Sequence, residues 1–234
     1  MTYAEAIYRF RTKYQIECLK REAREIPLTN QTLLALLSEP YAELANKHYL
    51  VRTSGTIDLV SGQYSYSSGT GASNLPTALL KPAIIRINDS GATEPLDLVS
   101  MEDMPAVGGR STGLPTKYAI DYVNGNRVLL LDTTPDKSYA DDSSYRLNMD
   151  YYKKIFVYSG TAENSFSDLD WSASDYGGSF QTPTEWDEMI ILGTLGGFFG
   201  DLKQEYEIKQ RQMEKIEYYN PKLTYNIAGI LHEF

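Results

Sequence analysis

The chain has 234 residues, 42% hydrophobic and 23% charged, a globular composition long enough to bury a core. Its net charge of −9 excludes nucleic-acid binding driven by phosphate neutralisation. A single cysteine, Cys18, excludes an intrachain disulfide, and with only His48 and His232 beside it cannot build a zinc site.

Met1 to Arg11 is polar and charged where a secretory signal needs an apolar run, so the chain is expected to stay in the cytoplasm until it is assembled. Thr2 and Glu5 have capping-box spacing, which predicts a helix over 3–25 stopped by Pro27. Ile7, Phe10, Tyr14 and Cys18 recur every three or four residues as its apolar stripe, and Cys18 reads as a small buried residue. Thr29-Asn30 caps a second helix over 31–48, with Leu33, Leu37, Tyr41 and Leu44 on one side. Pro40 predicts a kink or break near Ser38-Glu39, because it lacks an amide hydrogen.

From 50 to 153 the apolar period shortens towards two. Residues 56–60 and 63–66 read as a hairpin around Ser61-Gly62, and 67–74 as a flexible loop. Gly69 and Gly71 resemble part of a phosphate loop, but no Lys-Ser/Thr follows and no helix opens there. Strands are expected at 83–87 and 96–99 around Asp89-Ser90-Gly91, then a short helix over 101–107. Residues 118–122 and 127–131 flank Asn124-Gly125, a strong hairpin signal because both residues tolerate positive φ. Residues 145–153 are expected as the next strand beside that hairpin. The result is an α+β fold: a helical bundle from the N- and C-terminal helices with a small antiparallel sheet inserted.

Residues 156–180 read as a long crossing loop. Thr182 as cap and Pro183 as first residue announce a helix over 183–217. Its apolar run from Met189 to Phe199 falls short of the roughly 20 residues that span a bilayer. Gly193 and Gly197, and Gly196 and Gly200, are four apart, which predicts close approach of another helix on their bare faces. The charged half carries Glu205/Lys209 and Glu207/Arg211 beside a narrow stripe of Leu202, Tyr206, Met213 and Ile216. A single domain over 1–217 is therefore followed by a C-terminal arm over 218–234, in which Pro221 stops the helix. Tyr219, Leu223, Tyr225, Ile227, Ile230, Leu231 and Phe234 make this arm too apolar for a free tail, so it either folds back or docks on a neighbour.

No catalytic, cofactor or metal residue is assigned. Asp136, Asp141 and Asp142, and likewise Asp168, Asp170 and Asp175, lie in Ser- and Gly-rich stretches where solvated carboxylates are usual, and the first group lacks the alternate-residue spacing of a calcium loop. Neither histidine accompanies a serine elbow. The 19 tyrosines supply large contact area with a polar tip, suited to the core and to contacts between subunits.

Gly62-Gln63-Tyr64, Leu75-Pro76, Gly113-Leu114-Pro115-Thr116-Lys117-Tyr118, Thr134-Pro135-Asp136 and Tyr145-Arg146-Leu147-Asn148-Met149-Asp150-Tyr151-Tyr152 follow one another in an ordered set. With the flanking helices, over residues 28–217, this order resembles the head-to-tail adaptor (connector) proteins of tailed bacteriophages. The spacer 65–74 and the long first helix depart from that pattern. The resemblance implies a virion protein at the head-tail junction, with no cofactor and no membrane. It further implies a ring of about twelve copies that binds the portal through the arm and tail or neck proteins through its strand loops. Double-stranded DNA would pass through such a ring without sequence-specific binding, and acidic walls would keep the polyanion from adhering. Two alternatives are another neck or tail ring, of gatekeeper or tail-tube type, and a carbohydrate-binding or degrading module using Trp171, Trp186 and the acidic loops.

Overall fold

Helix α1 (Tyr3–Lys20) starts where its cap requires, with the Thr2 hydroxyl accepting from the Glu5 amide at 3.2 Å. The computed structural model describes residues 1–156 and 179–219. They belong to two compact units, one of residues 1–51 with the chain from Lys154 onward, and one of Arg52–Lys153.

In the helical unit α1 ends well before Glu25. Glu22 takes a left-handed φ of 51°, its amide reaches Leu19 O at 3.3 Å, and the Ala23 amide reaches Cys18 O at 2.9 Å. This closes the helix without the glycine that usually signals such an end. Helix α2 (Asn30–Lys47) is capped by Thr29 and closed in the same way, with Tyr49 at φ 52° and the Leu50 amide on Ala45 O at 3.1 Å.

Of the kink or break expected near Ser38-Glu39, the break does not occur, since α2 runs through Pro40. Proline leaves the Leu36 carbonyl without its helical donor. The Thr194 hydroxyl, held by Ile190 O at 2.9 Å, approaches that carbonyl at 3.5 Å from helix α3 (Thr184–Gly196). Gly193 on α3 leaves room for the Pro40 ring, since a Cβ there would stand 2.8 Å from Pro40 Cβ. Tertiary packing thus accommodates the proline within the helix.

Where the sequence suggests one helix over 183–217, the chain makes two. After Gly196 it turns through Gly197-Phe198-Phe199 into α4 (Gly200–Tyr219), which folds back so that Gly193 faces Tyr206 and Gly196 faces Lys203. Phe198 packs 5.9 Å from Phe10 and 5.2 Å from Tyr14, ring centre to centre, and this burial stabilises the turn. Thr182 does not cap α3; its hydroxyl donates to buried Asp187 at 3.2 Å. The stripes of Ile7, Phe10, Tyr14 and Cys18 and of Leu33, Leu37, Tyr41 and Leu44 meet Trp186, Ile190 and Leu195 in one core.

The β unit contains two sheets, not one. The first is antiparallel: β1 (Arg52–Asp58), β8 (Arg146–Lys153), β3 (Leu79–Asp89) and β4 (Ala92–Pro95), in that spatial order. The second places β2 (Ser65–Ser67), β7 (Asn126–Leu131), β6 (Lys117–Val123) and β5 (Asp97–Leu98) side by side, with β5 parallel to β6. Hairpins close at Ser90-Gly91 and Asn124-Gly125, each with positive φ at both residues, as tight two-residue turns require. Ile57, Ile87 and Leu147 from one sheet join Tyr66, Leu129 and Leu131 from the other in a shared core.

Two expected strand pairings do not form. β1 and β2 form no hairpin; the chain crosses between sheets there, with Leu59 buried on the way. β8 does not neighbour the Asn-Gly hairpin but lies between β1 and β3. The helix expected over 101–107 is two short 3-10 turns, Met101–Asp103 and Val107–Gly109, because Pro105 holds Met104 extended at φ −82°, ψ 138°. The 67–74 stretch is a closed turn in which the Gly69 amide bonds Leu75 O at 3.0 Å and the Asn74 side chain fills the space a Cβ at Gly69 or Gly71 would need. That amide is therefore not offered to a phosphate.

Candidate interaction surfaces

Helix α1 carries a second apolar stripe opposite its buried one. Tyr8, Ile16 and Leu19 are 65%, 45% and 76% exposed, and with Thr12 their spacing of three, four or eight puts them on one face. Large apolar side chains at helical spacing on an outer face suit cover by another polypeptide. Their spacing was visible in the sequence, where the stronger buried stripe masks it.

Of the four glycines whose spacing predicts close helix packing, Gly193 and Gly196 stand at close approach. A Cβ at Gly196 would lie 2.9 Å from the Lys203 Cα, and one at Gly193 3.0 Å from the Tyr206 ring. At Gly197 the nearest atom is the Thr194 carbonyl of its own helix, 3.3 Å away, and at Gly200 nothing lies within 4 Å. Leu223, Tyr225, Ile227, Ile230, Leu231 and Phe234 lie outside the described residues, as does the side chain of Tyr219.

The ionisable groups form structural contacts. His48 stacks against Trp186, ring centres 4.6 Å apart, with Glu214 at 4.0 Å from Nε2. Trp186 is 1% exposed, so it offers no platform for a sugar ring. Cys18 is buried. Asp168, Asp170, Asp175, Trp171 and His232 lie outside the described residues. Among the described residues no three His, Cys, Asp or Glu side chains are grouped to hold a metal ion, and no helix is long and apolar enough to cross a membrane.

The Asp136-to-Asp142 stretch is more ordered than solvated carboxylates require. Asp141 accepts from the Ser138 amide at 3.1 Å, Asp142 accepts from the Ser144 amide at 2.9 Å and its hydroxyl at 2.7 Å, and Lys137 bridges Asp89 and Asp142. The bond from Lys137 holds Asp89 below the usual carboxylate range, and the Ser144 bonds do the same for Asp142. A depressed folded pKa means that this support is present above the unfolded value of about 3.9 and is lost as pH falls through the folded one. Carboxyl titration by NMR should give both groups midpoints below about 3.9, and Lys137→Met should raise that of Asp89. A midpoint for Asp89 that ignores Lys137→Met would remove the bridge.

Burial pushes the Tyr66 phenol up to about 12, and raises Tyr145 and Tyr206 in the same direction with help from nearby carboxylates. These tyrosines belong to the core, whereas Tyr8 and Tyr122 stand exposed.

The model of a family described as SU10 adaptor protein matches residues 1–207. No curated protein matches the chain.

Proposed function

The chain belongs to the SU10 adaptor family, a head-tail adaptor family of tailed bacteriophages, and from this membership we propose that it forms the ring joining the capsid portal to the tail. It is a structural phage protein, of a virion family that works among head and tail proteins and is not a known enzyme family. The observation that carries the proposal is the family match over 1–207. The bare stripe of Tyr8, Ile16 and Leu19 supports it, because a ring built from one repeated contact needs such a face on every copy. About twelve copies would enclose a channel for DNA, and modest contacts repeated around a closed ring would add up to a stable assembly. The apolar arm over 218–234 would reach the portal, and the β unit would face the tail.

Electron microscopy of the purified protein with and without its portal tests this. Wild type should form rings, at least when the portal is present. Ile16→Glu with Leu19→Glu should stay folded by circular dichroism yet form none, since both positions are exposed and tolerate charge in the monomer. Removing residues 225–234 should leave a folded chain that no longer binds the portal. A wild type that remains monomeric on the portal would end the ring reading, and a truncated chain that unfolds would assign the arm to the chain's own core.

A further inference from the structure

The second sheet has a face that the core does not use. Along β6 and β7 the core takes Tyr118, Ile120, Leu129 and Leu131, so alternation turns Asp121, Val123, Val128 and Leu130 the other way. The 101–110 segment borders that outer face, and between them lies an open cavity of about 600 Å3. Its floor is aliphatic, and Met101 and Met104 flank it with side chains that adapt to varied shapes. Met101 and Val123 remain 42% and 47% exposed.

Arg110 shares this lining. Its guanidinium sits 4.0 Å above the Tyr64 ring, a cation over an aromatic face. Nε and Nη1 are closed off from solvent, yet neither has a hydrogen-bond partner. Asp121, in the same lining, accepts from the Tyr122 amide at 2.7 Å and does not reach them. Donors withdrawn from water without an acceptor are unfavourable, and a guanidinium fork matches a carboxylate in shape and charge. An anionic acceptor would answer both the charge and the fork. Asn124 and Asn126 complete the lining with amides that both donate and accept, the pairing that a peptide main chain uses.

We propose that this cavity is a docking site for a segment of a partner polypeptide in which a Glu or Asp stands next to aliphatic side chains. Arg110 takes the carboxylate, Val123 and Leu130 take the aliphatic groups, and the two asparagines hold the main chain. The site belongs to the β unit alone and does not depend on ring formation.

The test uses the full chain with its six methionine methyls labelled for NMR. The probes are acetyl-Leu-Glu-Leu-amide, acetyl-Leu-Gln-Leu-amide and hexanoate. The glutamate peptide should shift the Met101 and Met104 methyls in a saturable way and leave Met149 and Met189, which are buried in the two cores, in place. The glutamine peptide should bind about ten-fold more weakly, the factor expected for losing one charge-assisted contact. Arg110→Gln should abolish the difference between the two peptides, and Arg110→Lys, which keeps the charge but loses the fork, should reduce it; unshifted Met149 and Met189 report that each variant is folded. Equal binding of both peptides, no movement of Met101 and Met104 at millimolar peptide, or a preference that survives Arg110→Gln would each overturn the site. Hexanoate binding as well as the glutamate peptide would overturn the polypeptide occupant in favour of a small acid.

Discussion

Leucine at Gly196 is expected to destabilise the helical unit by about 1–3 kcal/mol, the range for forcing extra carbons into a packed contact. The physical reason is what the new Cβ would meet: the Lys203 Cα at 2.9 Å, part of a backbone that cannot rotate away. Either α4 must move off α3, or the turn through Phe198 and Phe199 must open. Gly193→Leu should have a similar cost, because its Cβ would press on the Pro40 ring and on Tyr206 at once. Gly200→Ala is the control. Nothing lies within 4 Å of its Cβ, so the change should be neutral or gain a few tenths of a kcal/mol, about what a less flexible unfolded chain contributes. Urea unfolding followed by circular dichroism measures all three. Equal midpoints for Gly196→Leu and Gly200→Ala would mean that the two helices do not approach closely at Gly196.

Leu147→Ala should cost about 2–5 kcal/mol, the range for emptying a leucine site in a closed core. Leu147 is fully buried on β8, the strand held between β1 and β3, and it shares its cluster with Leu129 and Leu131 of the other sheet. The cavity would open where the two sheets meet, and neither sheet can collapse into it without breaking its own ladder. Leu98→Ala, at a position 62% exposed, should change stability by less than about 0.5 kcal/mol. The comparison is again made by urea unfolding. Similar small losses for both changes would show that the sheets do not share one core.

What was legible in the sequence is whatever short-range physics decides. Thr2 and Thr29 cap the helices they announce, because a cap needs only the next three residues. The buried stripes of α1 and α2 follow from the 3.6-residue repeat, and Asn124-Gly125 makes its turn because both residues accept positive φ. The ordered motifs from Gly62 to Tyr152 point to the family that the match over 1–207 establishes. Tertiary structure decided the rest, since those outcomes depend on partners far along the chain. Alternation marks β8 as a strand, but the same alternation fits either sheet, and only burial between β1 and β3 selects its neighbours. Pro40 breaks an isolated helix; here Gly193 and Thr194, more than 150 residues later, make room for its ring and approach the carbonyl it orphans. Gly196 reads as helix by pattern, yet the chain turns just beyond it because Phe198 and Phe199 gain more by packing near Phe10 and Tyr14 than by continuing the helix. Arg110 carries no sequence signal at all: its unpaired donors become visible only once the 101–110 segment borders the outer face of a sheet whose other side is the core.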